Sequence, residues 1–207
     1  MKKNILLYTL LFLLFSAPVL QAQTSSDSDS HASDTERKWY IPDHAVVQFA
    51  GNIGIVSGGV GYSYLKDKMQ SDLMYGMAPG FEDASTIHIV TLKTAYHPFN
   101  LALNEKYRVE PLRVGLGISY TMGSQFYTKW PSRYPDGYYT WSTSYRFTPF
   151  LGSSISRKIG NQDKAIKMVQ LYGEVGSHDL DLASYVRDSW VSAWDIINFA
   201  LGTKIVF

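Results

Sequence analysis

The chain of 207 residues has no cysteine. That absence excludes a disulfide scaffold, a thiolate metal site, a cysteine nucleophile and lipid attachment through cysteine. Net charge is also scarce: 19 Lys and Arg against 18 Asp and Glu leave +1, with the basic residues dispersed. Such a balance carries no footprint for nucleic acid. Beyond the first 20 residues no apolar run is long enough for a membrane helix. Mean hydropathy of −0.12 matches an ordinary soluble protein, and the length suits one domain with a sizeable core.

What is present begins with an address. Met1 to Asn4 is a short basic start, Ile5 to Phe15 is apolar apart from Tyr8 and Thr9, Pro18 breaks the run, and Ala22 is a small residue suited to cleavage. This is the tripartite layout of a secretory signal over residues 1–22, with an uncleaved anchor as the competing reading. Without Lys2 and Lys3 the formal charge falls from +1 to −1. Residues 23–42 open with a Ser- and Asp-rich tract of almost no apolar content, which predicts a flexible lead. His31 and Ser33 inside it have no scaffold that would hold a base against a nucleophile.

From Trp39 onward the pattern has period two, the mark of strands with two unlike faces. Ala45, Val47, Phe49, Gly51 and Ile53 share one face of the first segment. Val60, Tyr62 and Tyr64 alternate with Gly59, Gly61 and Ser63 in the second. Lys66 to Lys68 forms a tight polar turn before a third segment, where Leu73, Tyr75 and Met77 oppose Asp72, Met74 and Gly76. A fourth runs from about Thr86 to Tyr96, and a fifth sets Leu112 to Tyr120 against Arg113 to Thr121. A sixth spans about Tyr139 to Leu151, a seventh Ile166 to Gly176, and an eighth Ile197 to Phe207. The connection Ser177 to Asp195 carries Leu182, Val186, Trp190 and Trp194 at helical spacing, so a short helix is expected there. An even count of alternating segments predicts an all-β, antiparallel up-and-down barrel of about eight strands over residues 43–207. Ten strands remain open, because Tyr138 to Ile159 and Ser177 to Phe207 can each be divided differently.

Alternation alone does not say which face is inside. Gly59, Gly61, Ser63, Gly76, Gly115, Gly117, Ser119, Ser142, Ser144 and Gly202 crowd the polar face. The interior of a barrel of about eight strands is only just wide enough for side chains, so small residues belong on the concave side. Aromatics such as Trp39, Tyr96, Trp130, Tyr139, Trp190 and Phe207 gather near strand ends, as in the girdles of a spanning barrel. Tyrosine-rich contact loops are the alternative reading of that clustering. At the terminus stands Gly202-Thr203-Lys204-Ile205-Val206-Phe207, with Leu201 and Phe199 continuing the alternation. Here the chain resembles bacterial outer-membrane β-barrel proteins, whose final strand carries a recognition signal for the barrel-insertion machinery. Gly202, Ile205 and Phe207 fit that pattern, while Ala200 stands where the family has a polar residue. The resemblance covers only the last strand. It implies a transmembrane barrel in a Gram-negative outer membrane, a periplasmic lead, and contact with outer-membrane lipid, lipopolysaccharide and the assembly machinery.

On this reading the lumen holds Asp72, Lys93, Arg113, Arg146, Glu174 and Lys204, with Gln48, Asn52, Gln70, Thr121 and Thr148. Charges of both signs in a narrow tube must pair or stay hydrated, so a salt-bridged plug is expected and a small polar channel is the competitor. An enzyme is the other alternative. The His-x-Ser motif that lipid A deacylases carry on a strand is missing, and the Asp-Ser order of the palmitoyltransferases is reversed at Ser71-Asp72. Ser177-His178-Asp179 is the one suggestive cluster, and sequence neighbours make a relay only if the loop folds them together. His44, His88, His97 and His178 lack ligand spacing. Glu82-Asp83 and Asp179-Asp181 read as solvated loop charges before calcium ligands, and Gly58-Gly59 with Gly61 is not followed by a phosphate-loop Lys or helix start. The expectation is a non-catalytic barrel without metal or cofactor, serving a structural, surface-contact or accessory role, with protein or glycan contact through its outer loops. A lipid A-modifying enzyme and a narrow small-solute transporter are the alternatives.

Overall fold

The computed structural model describes residues 40–80, 85–123, 126–128, 142–159 and 165–207. The predicted signal segment, the lead up to Trp39, Glu82 with Asp83, and the aromatics from Trp130 to Trp141 lie outside the described residues.

The alternating segments form strands β1 (His44–Ala50), β2 (Val56–Tyr64), β3 (Met69–Ala78), β4 (Ile87–Tyr96), β5 (Leu101–Ala102), β6 (Tyr107–Met122), β7 (Tyr145–Lys158), β8 (Met168–Gly176) and β9 (Asn198–Val206). All pairings are antiparallel. β4 pairs directly with β6, and β9 returns to β1, with Ala50 opposite Ala200 and His44 opposite Val206. Eight strands therefore close a barrel, and the two-residue β5 is a clip on the outer end of β6. Closure leaves no unpaired edge among the eight.

The two wall faces separate as the alternation requires. In β3, Gln70, Asp72, Met74 and Gly76 are buried while Leu73, Tyr75 and Met77 are exposed. The barrel is inverted relative to an ordinary core. Among the described residues, seven hydrophobics are buried against 19 polar or charged ones, while 38 large hydrophobics are exposed. Large lumen side chains fit because glycines face them: a Cβ on Gly202 would strike Tyr172, one on Gly61 would strike Asp72 and His44, and one on Gly115 would strike Phe150.

The ends differ. At the terminus end, β2 and β3 join through Leu65–Lys68, where Leu65, Lys66 and Asp67 take left-handed φ of 56, 58 and 62°. At the loop end lie the longer β6–β7 and β8–β9 connections. The latter folds into helix α1 (Asp179–Arg187), which rests on β7, and a 3-10 turn at Ala193–Asp195. Ser192 caps that turn reciprocally with Asp195.

Three expectations change. The first segment does not alternate as far as Ile53. Ala50 (φ 58°), Gly51 (76°) and Gly54 (112°) turn the chain inward, and Ile53 is buried with Val46, Met74 and Tyr172 instead of facing out. Gly76 permits this, because a Cβ there would run into the Ile53 carbonyl. In the sixth segment the strand covers Tyr145 to Lys158, past the expected end at Leu151, while the expected start at Tyr139 lies outside the described residues. Ser153 is exposed while Ser154 and Ser156 are buried, so one residue type serves both faces and weakens the alternation there. The long connection after Pro98 is shorter than expected: β5 lies within it, and β6 begins at Tyr107 and crosses a register shift between Glu110 and Arg113.

Candidate functional site

Inward positions of seven strands meet across the lumen in three linked groups. In the first, Lys204 of β9 donates to Asp72 (2.7 and 3.0 Å) and to Gln70 Oε1 (2.8 Å), both on β3. His44 of β1 reaches Asp72 Oδ1 through Nε2 at 2.6 Å. That length makes Nε2 the donor, so the 3.3 Å contact from Lys204 to the same nitrogen is not a second hydrogen bond.

The second group crosses the middle. Lys93 of β4 pairs with Glu174 of β8 and donates to Gln48 Oε1 of β1 at 2.7 Å. Tyr172 OH also donates to Gln48 Oε1, at 3.1 Å. The Lys93 ammonium stands 4.7 Å from the Phe150 ring centre and 5.0 Å from that of Tyr172. Arg113 of β6 lies over the other part of the cluster, 4.6 Å from the Tyr172 ring and 3.3 Å from Glu174 Oε1. Its Nε, Nη1 and Nη2, and Glu174 Oε1, make no hydrogen bond among the described residues.

The third group gathers on one carboxylate oxygen near the terminus end. His97 Nδ1 donates to Glu110 Oε2, joined by Ser154 Oγ (2.7 Å) and Gln170 Nε2 (2.9 Å). Buried ions are tolerable only when paired and further hydrogen-bonded. Asp72, Glu110 and Glu174 face Lys93, Arg113 and Lys204, so carboxylates and fixed cations balance in number.

The structure thus brings Asp72, Lys93, Arg113, Glu174 and Lys204 together and leaves Arg146 apart. Arg146 sits at the loop-end mouth, where Nη1 donates to the carbonyls of Ser142 (2.5 Å) and Tyr145 (2.9 Å). Its Nε is 4.0 Å from Asp179, at the start of α1. Sequence reasoning missed His44, His97, Glu110, Ser154 and Gln170 as partners. Parity places three of them inward, since His44 extends the inward series Val46 and Gln48, His97 extends Lys93 and Ala95, and Gln170 shares the face of Tyr172 and Glu174. Glu110 lies across the register shift, where parity fails.

Ser177, His178 and Asp179 do not form a relay. Ser177 Oγ donates to the His178 carbonyl at 3.4 Å, His178 Nδ1 faces Thr148 Oγ1 at 3.5 Å, and Asp179 turns toward Arg146. Burial pushes the His178 pKa down; Asp181 and Asp179 oppose that shift and Arg146 adds to it. No group of three or more metal-ligating side chains occurs among the described residues. Of the terminal positions, Gly202 faces the lumen under Tyr172, Ile205 faces outward, and the Phe207 amide donates to the Asp43 carbonyl at 3.0 Å.

Above the central group, the loop end opens into a recess. Its floor is Lys93 and Glu174, its walls include Thr91, Ser119, Thr148 and Phe150, and the inturned Gly51–Ile53 turn narrows one side. The cavity volume is about 30 Å³. No protein-family model matches the chain, and no curated protein matches it at a significant level.

Proposed function

We propose that the chain is a non-catalytic outer-membrane β-barrel with a plugged polar lumen, serving a structural, surface-contact or accessory role. One observation carries this reading: among the described residues the burial pattern is inside out, with 38 large hydrophobics exposed, many of them on the outer face of the strands, and 19 polar residues buried. Soluble monomers do not leave a continuous apolar girdle of that extent to water. A hydrocarbon surround resolves it, because the barrel satisfies its own backbone and turns its apolar side chains to lipid.

Further features support the same conclusion. β2, β3, β4, β8 and β9 have nine or ten residues, against the roughly 9–11 that a tilted strand needs to span a bilayer. Tyr75, Val90, Tyr120 and Tyr145 form one cross-strand row toward the loop end. Tyr64 and Tyr96 flank Met69 in another row toward the terminus end. Two aromatic levels bracketing an aliphatic band suit two headgroup layers. The Gly202, Ile205 and Phe207 pattern supports recognition by the assembly machinery, and the wet ends suit contact with lipopolysaccharide and with protein or glycan partners. The crossed ion pairs support a structural plug over an aqueous passage.

The decisive experiment is fractionation of the expressing cells with gel migration before and after boiling. Recovery in outer membranes with a heat-dependent shift in SDS is expected. A soluble product that migrates identically in both lanes would overturn the reading.

A further inference from the structure

We propose that the terminus-end edge of β6, β7 and β8 is a binding site for an anionic phospholipid, an inference that rests on the membrane-barrel reading and names the lipid. The backbone gathers the site. The Lys158 amide donates to the Lys106 carbonyl at 2.8 Å, and the Ile159 amide to the Lys167 carbonyl at 2.9 Å. Arg157 stands opposite Tyr107 of β6 and Val169 of β8, with its guanidinium 5.7 Å from the Tyr107 ring centre. Lys106, Arg157, Lys158 and Lys167 thus belong to three neighbouring segments of one ladder, about 10 Å across at ~4.8 Å per strand. All four are exposed.

Their charge is not neutralised in place. None of the four takes part in an ion pair among the described residues. Glu105, in the turn before β6, is the one exposed acid beside them among the described residues, so four cations less one acid leave +3. Residues 160–164, outside the described residues, add one Asp and one Lys and do not alter that balance. The loop end is the reverse: Asp179, Asp181, Asp188 and Asp195 outnumber Arg146 and Arg187 among its described residues. An anion is drawn to one end of the barrel and turned away from the other.

The wall beside the cations decides what kind of anion fits. Leu101, Val109, Ile155 and Leu171 stand opposite one another in a single cross-strand row. The next row toward the terminus end is Tyr107, Arg157 and Val169. Arg157 shares the outward face of Ile155, and Lys167 continues the outward series of Leu171 and Val169. An inorganic phosphate or an acidic peptide makes no use of the apolar row. A phospholipid does, because its acyl chains run along the row while its phosphate meets the cations below. A zwitterionic headgroup sets its own ammonium against that phosphate. A net anionic headgroup keeps the whole attraction, worth roughly fivefold in affinity for each cation near the surface.

The test uses the full chain folded in a nonionic detergent and titrated, under native mass spectrometry, with phosphatidylglycerol or phosphatidylcholine of identical acyl chains. Phosphatidylglycerol should bind at least ~25-fold more tightly, the product of two such cations, and the preference should shrink as ammonium acetate is raised. Arg157→Gln combined with Lys167→Gln should weaken phosphatidylglycerol about 25-fold and phosphatidylcholine little. Lys66→Gln combined with Lys68→Gln, in the β2–β3 turn at the same end, should leave both affinities in place. Equal affinity for the two lipids, or an equal loss in the β2–β3 variant, would overturn the site while a retained heat-dependent shift leaves the barrel reading standing. Displacement of the lipid by equimolar glycerol phosphate would show a plain phosphate site and defeat the lipid assignment, and tighter binding of polyglutamate would replace the lipid with an acidic protein. Protein that shows no heat-dependent shift would remove the barrel reading and this site with it.

Discussion

The central belt and the loop-end rim use the same residue types and make opposite things of them. In the belt, Lys204 holds Asp72 at 2.7 Å with both side chains at most 2% exposed, and Gln70 and His44 occupy the remaining positions. At the rim, Arg146 and Asp179 stand 4.0 Å apart with side chains 16 and 14% exposed. Water near the rim screens the pair and solvates either partner alone. In the belt no such fallback exists, so each ion depends on its neighbour. Burial, more than residue type, decides whether a charge pair is structural.

That contrast can be broken by measurement. Asp72→Ala strands Lys204 and His44 and should cost ~3–5 kcal/mol in urea unfolding of the detergent-folded barrel; a cost no larger than at the rim would erase the distinction. Glu174→Gln leaves Lys93 and Arg113 without their carboxylate and should cost ~1.5–3 kcal/mol, as for hydrogen bonds to charged groups. The same variant should raise steady conductance in planar bilayers, and an already conducting wild type would contradict the plug. Ser154→Ala removes one of three donors to Glu110 Oε2 and should cost ~0.5–1.5 kcal/mol by the same unfolding measurement. Asp179→Asn at the rim should stay under about 1 kcal/mol.

The smallest effect expected is a pH dependence at the rim. The folded pKa of His178 lies below its ordinary value because burial disfavours the cation. The unfolded or undocked loop therefore binds more protons than the docked one. Docking is fully favoured above the ordinary histidine pKa of about 6.5 and weakens as pH falls through it toward the lower folded value. Amide exchange in α1, corrected for intrinsic rates, should show more opening with falling pH while that of β3 does not. Equal change in both would place the titration elsewhere.

Much of the wall was readable in advance. Inward assignments for Gly59, Gly61, Asp72, Lys93, Arg113, Gln170, Glu174 and Lys204 follow from parity, because strand geometry is local and successive side chains must oppose. Parity misled where the chain left the ladder. Ile53 was assigned outward because nothing in the sequence marks Ala50 as left-handed, and Glu110 lost its phase at the register shift. Arg146 has the correct parity yet sits too near the mouth to join the belt, since height along the barrel depends on strand stagger.

Taken alone, the sequence determined the all-β class, the count near eight, and which face carries the small and polar residues. Each of these rests on local periodicity and on side-chain size in a narrow interior. Only the tertiary structure decided the partners: Lys204 with Asp72, Lys93 with Glu174, and His97 with Glu110. These pairs join residues of different strands, and closure and register set which of them stand at the same height. That arrangement is cooperative over the whole barrel, so no local window of sequence contains it.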